Sequence, residues 1–200
     1  MTTTPGAGDL KSFLDESSCV LSEKHQEYMV GAAILEADAC DDIRTELRPL
    51  LLPGQIKLHW TDEGRRRRIR IIDAIASLGP MNVIVSHISE RQRKTERFRR
   101  KCLELMYYEF ASMELHDVVL ESRSPKQDGR DRAHIVALQG QGLDRRIRVA
   151  HRRGGDEPLL WIADAVLGAV NSARQGEPAH LDALRDTILL QERTPESLEP

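Results

Sequence analysis

From residue 82 onward the chain alternates short apolar runs with longer stretches of helical period, an order that few architectures accommodate. Asn82 to Ile88 reads as a buried strand, Arg91 to Leu115 as a long helix, Asp117 to Glu121 as a strand and Asp128 to Gln139 as a helix. Arg146 to Ala150 is a further strand, and Pro158 to Val170 is the most apolar helical pattern in the chain. Strands joined through helices require right-handed crossovers and a largely parallel sheet. The first half adds an antiparallel part, because Lys11 to Val20 and Tyr28 to Leu35 are strand-like and a turn near Ser22 to Gln26 joins them. Ala37 to Leu52 reads as a helix stopped by Pro53-Gly54, Ile56 to Trp60 as a short strand, and Asp62 to Leu78 as an amphipathic helix ending at Gly79-Pro80. The expected fold is α/β, a mixed sheet with a leading antiparallel hairpin, later parallel strands and helices on both faces.

Two hundred residues are enough for one domain with a real core. Residues 1–9, rich in Thr, Gly and Pro, read as a disordered leader, residues 10–175 as the domain, and residues 176–200 as an acidic helix or tail. Leu181, Leu184, Ile188 and Leu189 place the one helix of that tail before Pro195. No apolar run approaches the roughly 18 residues needed to span a membrane, and the N-terminus has no signal-peptide pattern. Cys19, Cys40 and Cys102 are odd in number and lack metal-type spacing, which fits a reducing cytoplasm and small core side chains.

The net charge of −3 hides a segregation. Between Lys57 and Arg153 stand 22 Lys and Arg against 13 Asp and Glu, while the rest of the chain holds 7 basic and 19 acidic residues. Such a basic middle suits a polyanion, and nucleic acid is the expected partner. Arg93, Arg97, Arg100 and Lys101 recur at helical spacing as candidate phosphate contacts, with a solvated helix face as the plainer alternative. Aromatic residues are only 4% of the chain, which argues against a base-stacking platform of the single-strand-binding type. The acidic tail offers a surface for a second copy or another protein.

Asp164 is the only charged residue between Glu157 and Arg174. A helix apolar on nearly every side is buried, and a buried carboxylate needs a partner, a proton or a metal. At about 100° per residue, Asp164 falls at the edge of the apolar stripe formed by Leu159, Ile162, Ala163, Val166 and Val170. Two further acids fall at carboxyl ends of expected strands, where open α/β sheets place their sites. These are Asp15, with Glu16 beside it, and Glu121. Successive strand residues point to opposite faces, so Asp15, on the side of Phe13, is the inward acid and Glu16 is not. Converging carboxylates without basic partners repel one another unless a divalent cation neutralises them, and Mg²⁺ or Mn²⁺ suits such oxygen ligands. Each acid taken alone also has a structural reading: Asp15 caps a turn, Glu121 pairs with Arg123, and Asp164 pairs with a core arginine.

Lys57 and His59 alternate onto one face of their expected strand, placed to bind a phosphate or donate a proton, or simply to be solvated at an edge. Asp128 and Asp131 either cap the start of a helix or add acids near Glu121. His87 reads as a satisfied core histidine. Gly140, Gly142 and Gly154-Gly155 lack the context of a dinucleotide site, and neither a nucleophile elbow nor a Walker sequence is present.

Phe13-Leu14-Asp15-Glu16-Ser17 resembles the opening strand of the domain-of-unknown-function 3800 family, mostly bacterial, which begins with an aromatic or aliphatic residue followed by Asp-Glu-Ser-Gly. Leu160-Trp161-Ile162-Ala163-Asp164 resembles that family's closing Leu-Gln-x-Ala-Asp helix. Lys57-Leu58-His59-Trp60 and Val119-Leu120-Glu121-Ser122-Arg123 match its middle segment and late strand, so the resemblance covers about residues 11–175. Ser18 stands where the signature has glycine, and Trp161 occupies a commonly polar position. The family is classed with ribonuclease H-like proteins, whose nucleases bind metal through acids on the first strand, a later strand and the last helix. The resemblance therefore implies a ribonuclease H-like mixed sheet and metal roles for Asp15, Glu121 and Asp164. The expected function is a metal-dependent nuclease of the two-ion type. The rivals are a non-catalytic nucleic-acid or protein binding module on the same fold and a defence or toxin-type effector.

Overall fold

The computed structural model describes residues 9–199, so the expected leader lies, but for Asp9, outside the described residues. β1 (Leu10–Val20) and β2 (His25–Glu36) form an antiparallel hairpin. The Ser22 hydroxyl closes it by accepting the backbone N–H groups of Lys24 (3.3 Å) and His25 (3.1 Å). β2 is buried on both faces over most of its length, as befits a central strand. β3 (Met81–Glu90) pairs antiparallel with β2, whereas β4 (Asp117–Glu121) pairs parallel with β1 and β5 (Arg148–Arg152) parallel with β4. With β6 (Ile188–Arg193) beside β3, the order is β5-β4-β1-β2-β3-β6. This is the mixed sheet expected, a hairpin followed by parallel strands.

Helices cover both faces. On the face shared by Phe13, Met29 and Ile84 lie α1 (Cys40–Leu47), α2 (Arg65–Leu78) and α5 (Leu160–Arg174), with the short α6 (Ala179–Ala183) against α2 and α5. On the face of Leu14, Val30 and Val85 lie α3 (Glu96–Ser112) and α4 (Pro125–Gly140). Ser124 caps α4 by accepting the N–H of Gln127, and Pro125 occupies its first turn. α5 is buried almost all round and packs closely enough that small residues are required. A Cβ on Gly31, the β2 partner of Asp15, would stand 2.8 Å from Leu167 Cγ, and one on Gly168 would enter the Trp60 indole at 2.1 Å.

Three elements differ from expectation. Residues 56–60 form no strand. Gly54 takes a left-handed φ of 85°, and the chain then crosses irregularly to a 3₁₀ turn at Trp60–Asp62. The backbone N–H of Trp60 donates to Asp164 Oδ2 (2.6 Å) rather than to a neighbouring strand. The helix expected through Leu189 ends at Ala183, and Ile188–Arg193 becomes β6 instead. The edge of β3 otherwise leaves a row of backbone donors and acceptors without partners, and a parallel strand satisfies them. The long helix begins at Glu96 rather than Arg91, because Arg91 N–H donates to Lys24 O (2.8 Å) in the loop. No helix of the described residues is long and apolar enough to cross a membrane.

Candidate metal centre

β1, β3, β4 and β5 run in one direction and so end along the same edge of the sheet. Asp15 sits where β1 passes the end of β4, because the parallel register matches Leu14 with Leu120 and puts Asp15 beside Glu121. It shares the Phe13 face with α5, whose first turns carry Asp164 toward the same place. Burial raises the Asp15 carboxyl to about 8, with the charges of Asp164 and Glu121 adding to the rise. Its own stabilising contacts are few: Oδ1 accepts the N–H of Glu16 (2.8 Å), and Lys57 lies near. Burial raises Asp164 as well, against the opposing pull of the Trp60 N–H, His59 and Lys57.

No arginine pairs with any of these three acids among the described residues. Lys57 is the cation between them, with Nζ 2.7 Å from Glu121 Oε1, and His59 Nδ1 stands 3.4 Å from Asp164 Oδ1. Lys57 and His59 thus reach one cluster although they lie on no strand. The segment that carries them is anchored by Leu58 and Trp60, both buried under α5. Its close approach depends on Gly154, where a Cβ would meet Glu121 Oε1 at 2.6 Å and Lys57 Cδ at 3.0 Å. Trp161 fixes that glycine by donating from Nε1 to Gly154 O (2.6 Å). A cavity of about 190 Å³ opens beside Asp15, Glu121 and Lys57 and continues past Ser122 to Arg99 and Arg123. Three carboxylates against one ammonium make a donor set short of positive charge, which a hard divalent cation fits.

Glu16, Asp128 and Asp131, weighed as possible additional acids, have partners elsewhere. Glu16 points to the α3 face, where it accepts from Tyr28 OH (2.6 Å) and pairs with Arg99. Asp131 pairs with Arg99 and Arg123 and lies 3.1 Å from His151 Nε2. Asp128 accepts from Ser122 Oγ (2.6 Å) and from Arg123 N–H (3.0 Å). Burial by itself would raise Asp131, but the hydrogen bonds of His151 and Arg99 hold it below the usual carboxylate range. Among the described residues, Asp128, Asp131 and His151 form the group of potential metal ligands whose donor atoms all lie within 4.8 Å. Arg99 and Arg123 already neutralise Asp131 there, so a cation would compete with them for that carboxylate. Arg123, expected as the partner of Glu121, belongs to this network and to Glu96 (3.0 Å).

Arg93 is exposed in the β3–α3 loop, and Arg97 and Arg100 are exposed on the opening turns of α3, at the edge where the strands end. Lys101 instead reaches Glu196 (3.3 Å). His87 is a core residue, stacked on Phe98 and 2.5 Å from Thr194 Oγ1. Sequence reasoning missed Trp60, Gly154 and Trp161, which set the position of the acids. The adjacent glycines at 154 and 155 were the available signal, since a pair of glycines marks a close backbone approach.

No family model and no curated protein matches the chain. Among solved structures it is similar to the ribonuclease HII of Archaeoglobus fulgidus in its complex with PCNA, at 14% identity and a TM-score of 0.41, covering 88% of this chain and 78% of that one. It is also similar to Bst-RNase HIII in complex with Mn²⁺, at 12% identity and a TM-score of 0.42, covering 89% of this chain. The chain spans about half the length of that protein, 54%.

Proposed function

We propose that the chain is a metal-dependent phosphodiesterase acting on nucleic acid. One observation carries this reading: Asp15, Glu121 and Asp164, from two strands and a helix, gather near Lys57, and burial, with the charges of Asp164 and Glu121 adding to it, lifts Asp15 to about 8. Mg²⁺ or Mn²⁺ would be held by these three carboxylates. Their donor atoms do not all lie within 4.8 Å of one another, and the reading calls for two ions roughly 4 Å apart rather than one. When bound, such ions supply water activation and neutralisation of the leaving oxygen.

The protein's own groups do the rest. The Trp60 N–H holds one oxygen of Asp164, and the other lies 3.4 Å from His59 Nδ1. Lys57, whose Nζ lies beside Glu121, would bind a phosphate oxygen. His59, half exposed beside Asp164, stands where it can pass a proton to solvent or the leaving group. Arg93, Arg97 and Arg100 steer the polyanion along the same edge.

The test compares Mn²⁺-dependent cleavage of labelled DNA and RNA by wild type and by Asp15→Asn and Asp164→Asn. The variants are expected to lose more than about 100-fold in rate, beyond the loss usual for groups that merely support a ligand. Equal activity in wild type and variants would remove these acids from the chemistry. Binding of Mn²⁺ and nucleic acid with no cleavage would leave a binding module.

A further inference from the structure

Between α1 and α2 the chain presents an apolar knuckle that the acids do not account for. Leu52 is 44% and Ile56 79% exposed, with Pro53 and Gly54 exposed between them. Isolated exposed aliphatics are ordinary on a protein surface. Two observations distinguish this pair.

The knuckle is braced. Gln55 Oε1 accepts the Leu52 N–H (2.8 Å), and its Nε2 donates to Glu63 Oε1 (3.0 Å). Glu63 is buried and pairs with Arg67, whose Nη2 donates to Leu50 O (2.6 Å) at the other end of the segment. An ion pair with its carboxylate buried thus fixes a loop that carries no secondary structure, and the loop holds Leu52 and Ile56 toward solvent.

The knuckle also stands at the acids. Ile56 precedes Lys57, whose Nζ touches Glu121. Gly155 lies against Ile56, where an added Cβ would be 3.4 Å from its carbonyl oxygen and 3.9 Å from its Cβ. Arg152 and Arg153, both exposed, lead directly into those glycines. An apolar tip against a segment that carries two exposed arginines fits a ligand that is anionic outside and apolar between its charges. Nucleic acid has that character, with phosphates outside and stacked bases within.

We propose that the Leu52–Ile56 knuckle is a wedge that enters a base step of the strand held at Asp15, with Ile56 leading, as aliphatic side chains do when they part stacked bases. The proposal rests on the phosphodiesterase reading and names its substrate class: nucleic acid whose bases part readily, such as mismatched, nicked or single-stranded stretches, ahead of intact duplex.

The experiment uses the full chain and duplexes carrying 2-aminopurine at successive positions, with and without a neighbouring mismatch, in EDTA to prevent cleavage. Wild type is expected to raise the fluorescence at one step and to bind the mismatched duplex more tightly. Ile56→Ser loses the rise, with affinity falling about tenfold, the contribution of one apolar side chain removed from water. Its thermal unfolding stays at the wild-type value, since Ile56 is exposed. Parallel reactions in Mn²⁺ separate the two readings. Cleavage by wild type with no rise at any position, or an equal rise with Ile56→Ser, overturns the wedge and leaves the phosphodiesterase. A rise without cleavage supports the wedge and overturns the catalytic reading, and absence of binding by wild type overturns both.

Discussion

Asp15 and Glu16 are neighbours on β1 and meet opposite fates. On the α5 face, Asp15 joins Glu121 and Asp164 around one lysine, and burial with two like charges lifts its carboxyl to about 8. On the α3 face, Glu16 joins Asp131 and Glu96 around Arg99 and Arg123, and burial is overcome by hydrogen bonds that keep Asp131 low. Burial is comparable in kind, and the supply of cations differs. A carboxylate cluster matched by guanidinium groups is a structural device, whereas a cluster left short of positive charge is a place for something else to bind.

The largest expected effect lies on the matched side. Arg99→Leu leaves Asp131 buried without its principal partner, both side chains being 3% exposed. Urea unfolding should show a loss of about 3–5 kcal/mol. A loss below about 1 kcal/mol would mean that Arg123 and His151 suffice, and the comparison would weaken.

The two faces should also oppose each other in pH dependence. The folded carboxyl of Asp15 lies above its unfolded value of 3.8, so its contribution to stability is full below pH 3.8 and is lost as pH rises through about 8. The metal-free protein should lose on the order of a few kcal/mol across that window. Asp15→Asn should flatten the slope, and so should added Mn²⁺. Asp131, held below its unfolded value, behaves in the reverse sense, and its contribution disappears as pH falls below 3.8. An unchanged slope in Asp15→Asn would show that Asp15 carries no uncompensated charge.

Lys57→Met removes the ammonium that meets the unmatched acids. Without metal, it should cost about 1–2 kcal/mol, because Glu121 is left with no partner in a half-buried place. Calorimetry should find Mn²⁺ binding tighter than in wild type, since the competing ammonium is gone, while cleavage slows. Weaker Mn²⁺ binding would show that Lys57 organises the acids rather than competing with a cation.

Gly154→Ala is the subtlest probe. Its Cβ would press on Glu121 Oε1 and Lys57 Cδ, the far ends of flexible side chains, so stability should change by less than about 1 kcal/mol. Cleavage should still fall about tenfold, since a small misplacement of a reacting group is felt strongly. A variant as active as wild type would show that Glu121 need not be held to one geometry.

Much of this arrangement could be read along the chain. The period-2 alternation Phe13, Asp15 against Leu14, Glu16 assigned the two acids to opposite faces, and the isolation of Asp164 in an apolar helix marked it as an exception. Both patterns are local, because strand and helix geometry alone decides which side chains share a face. The same local reading failed at residues 188–193, whose aliphatic run suits a helix as well as a strand and was settled by the open edge of β3. It also failed at residues 56–60, where Trp60 gives its N–H to a carboxylate 104 residues away.

The sequence by itself therefore determined the α/β layering and the basic middle of the chain, and it marked Asp15, Glu121 and Asp164 as acids to follow. Only the tertiary structure decided which acids received arginines. Asp131 could have been a further acid near Glu121, but packing brought Arg99 and Arg123 to it and Lys57 and His59 to the other cluster. Pairing between charges depends on distance across the fold, and residues distant in sequence meet only when the sheet and its helices are assembled. The middle of β1, where it passes the carboxyl end of β4, became a candidate site because assembly left its charge unmatched.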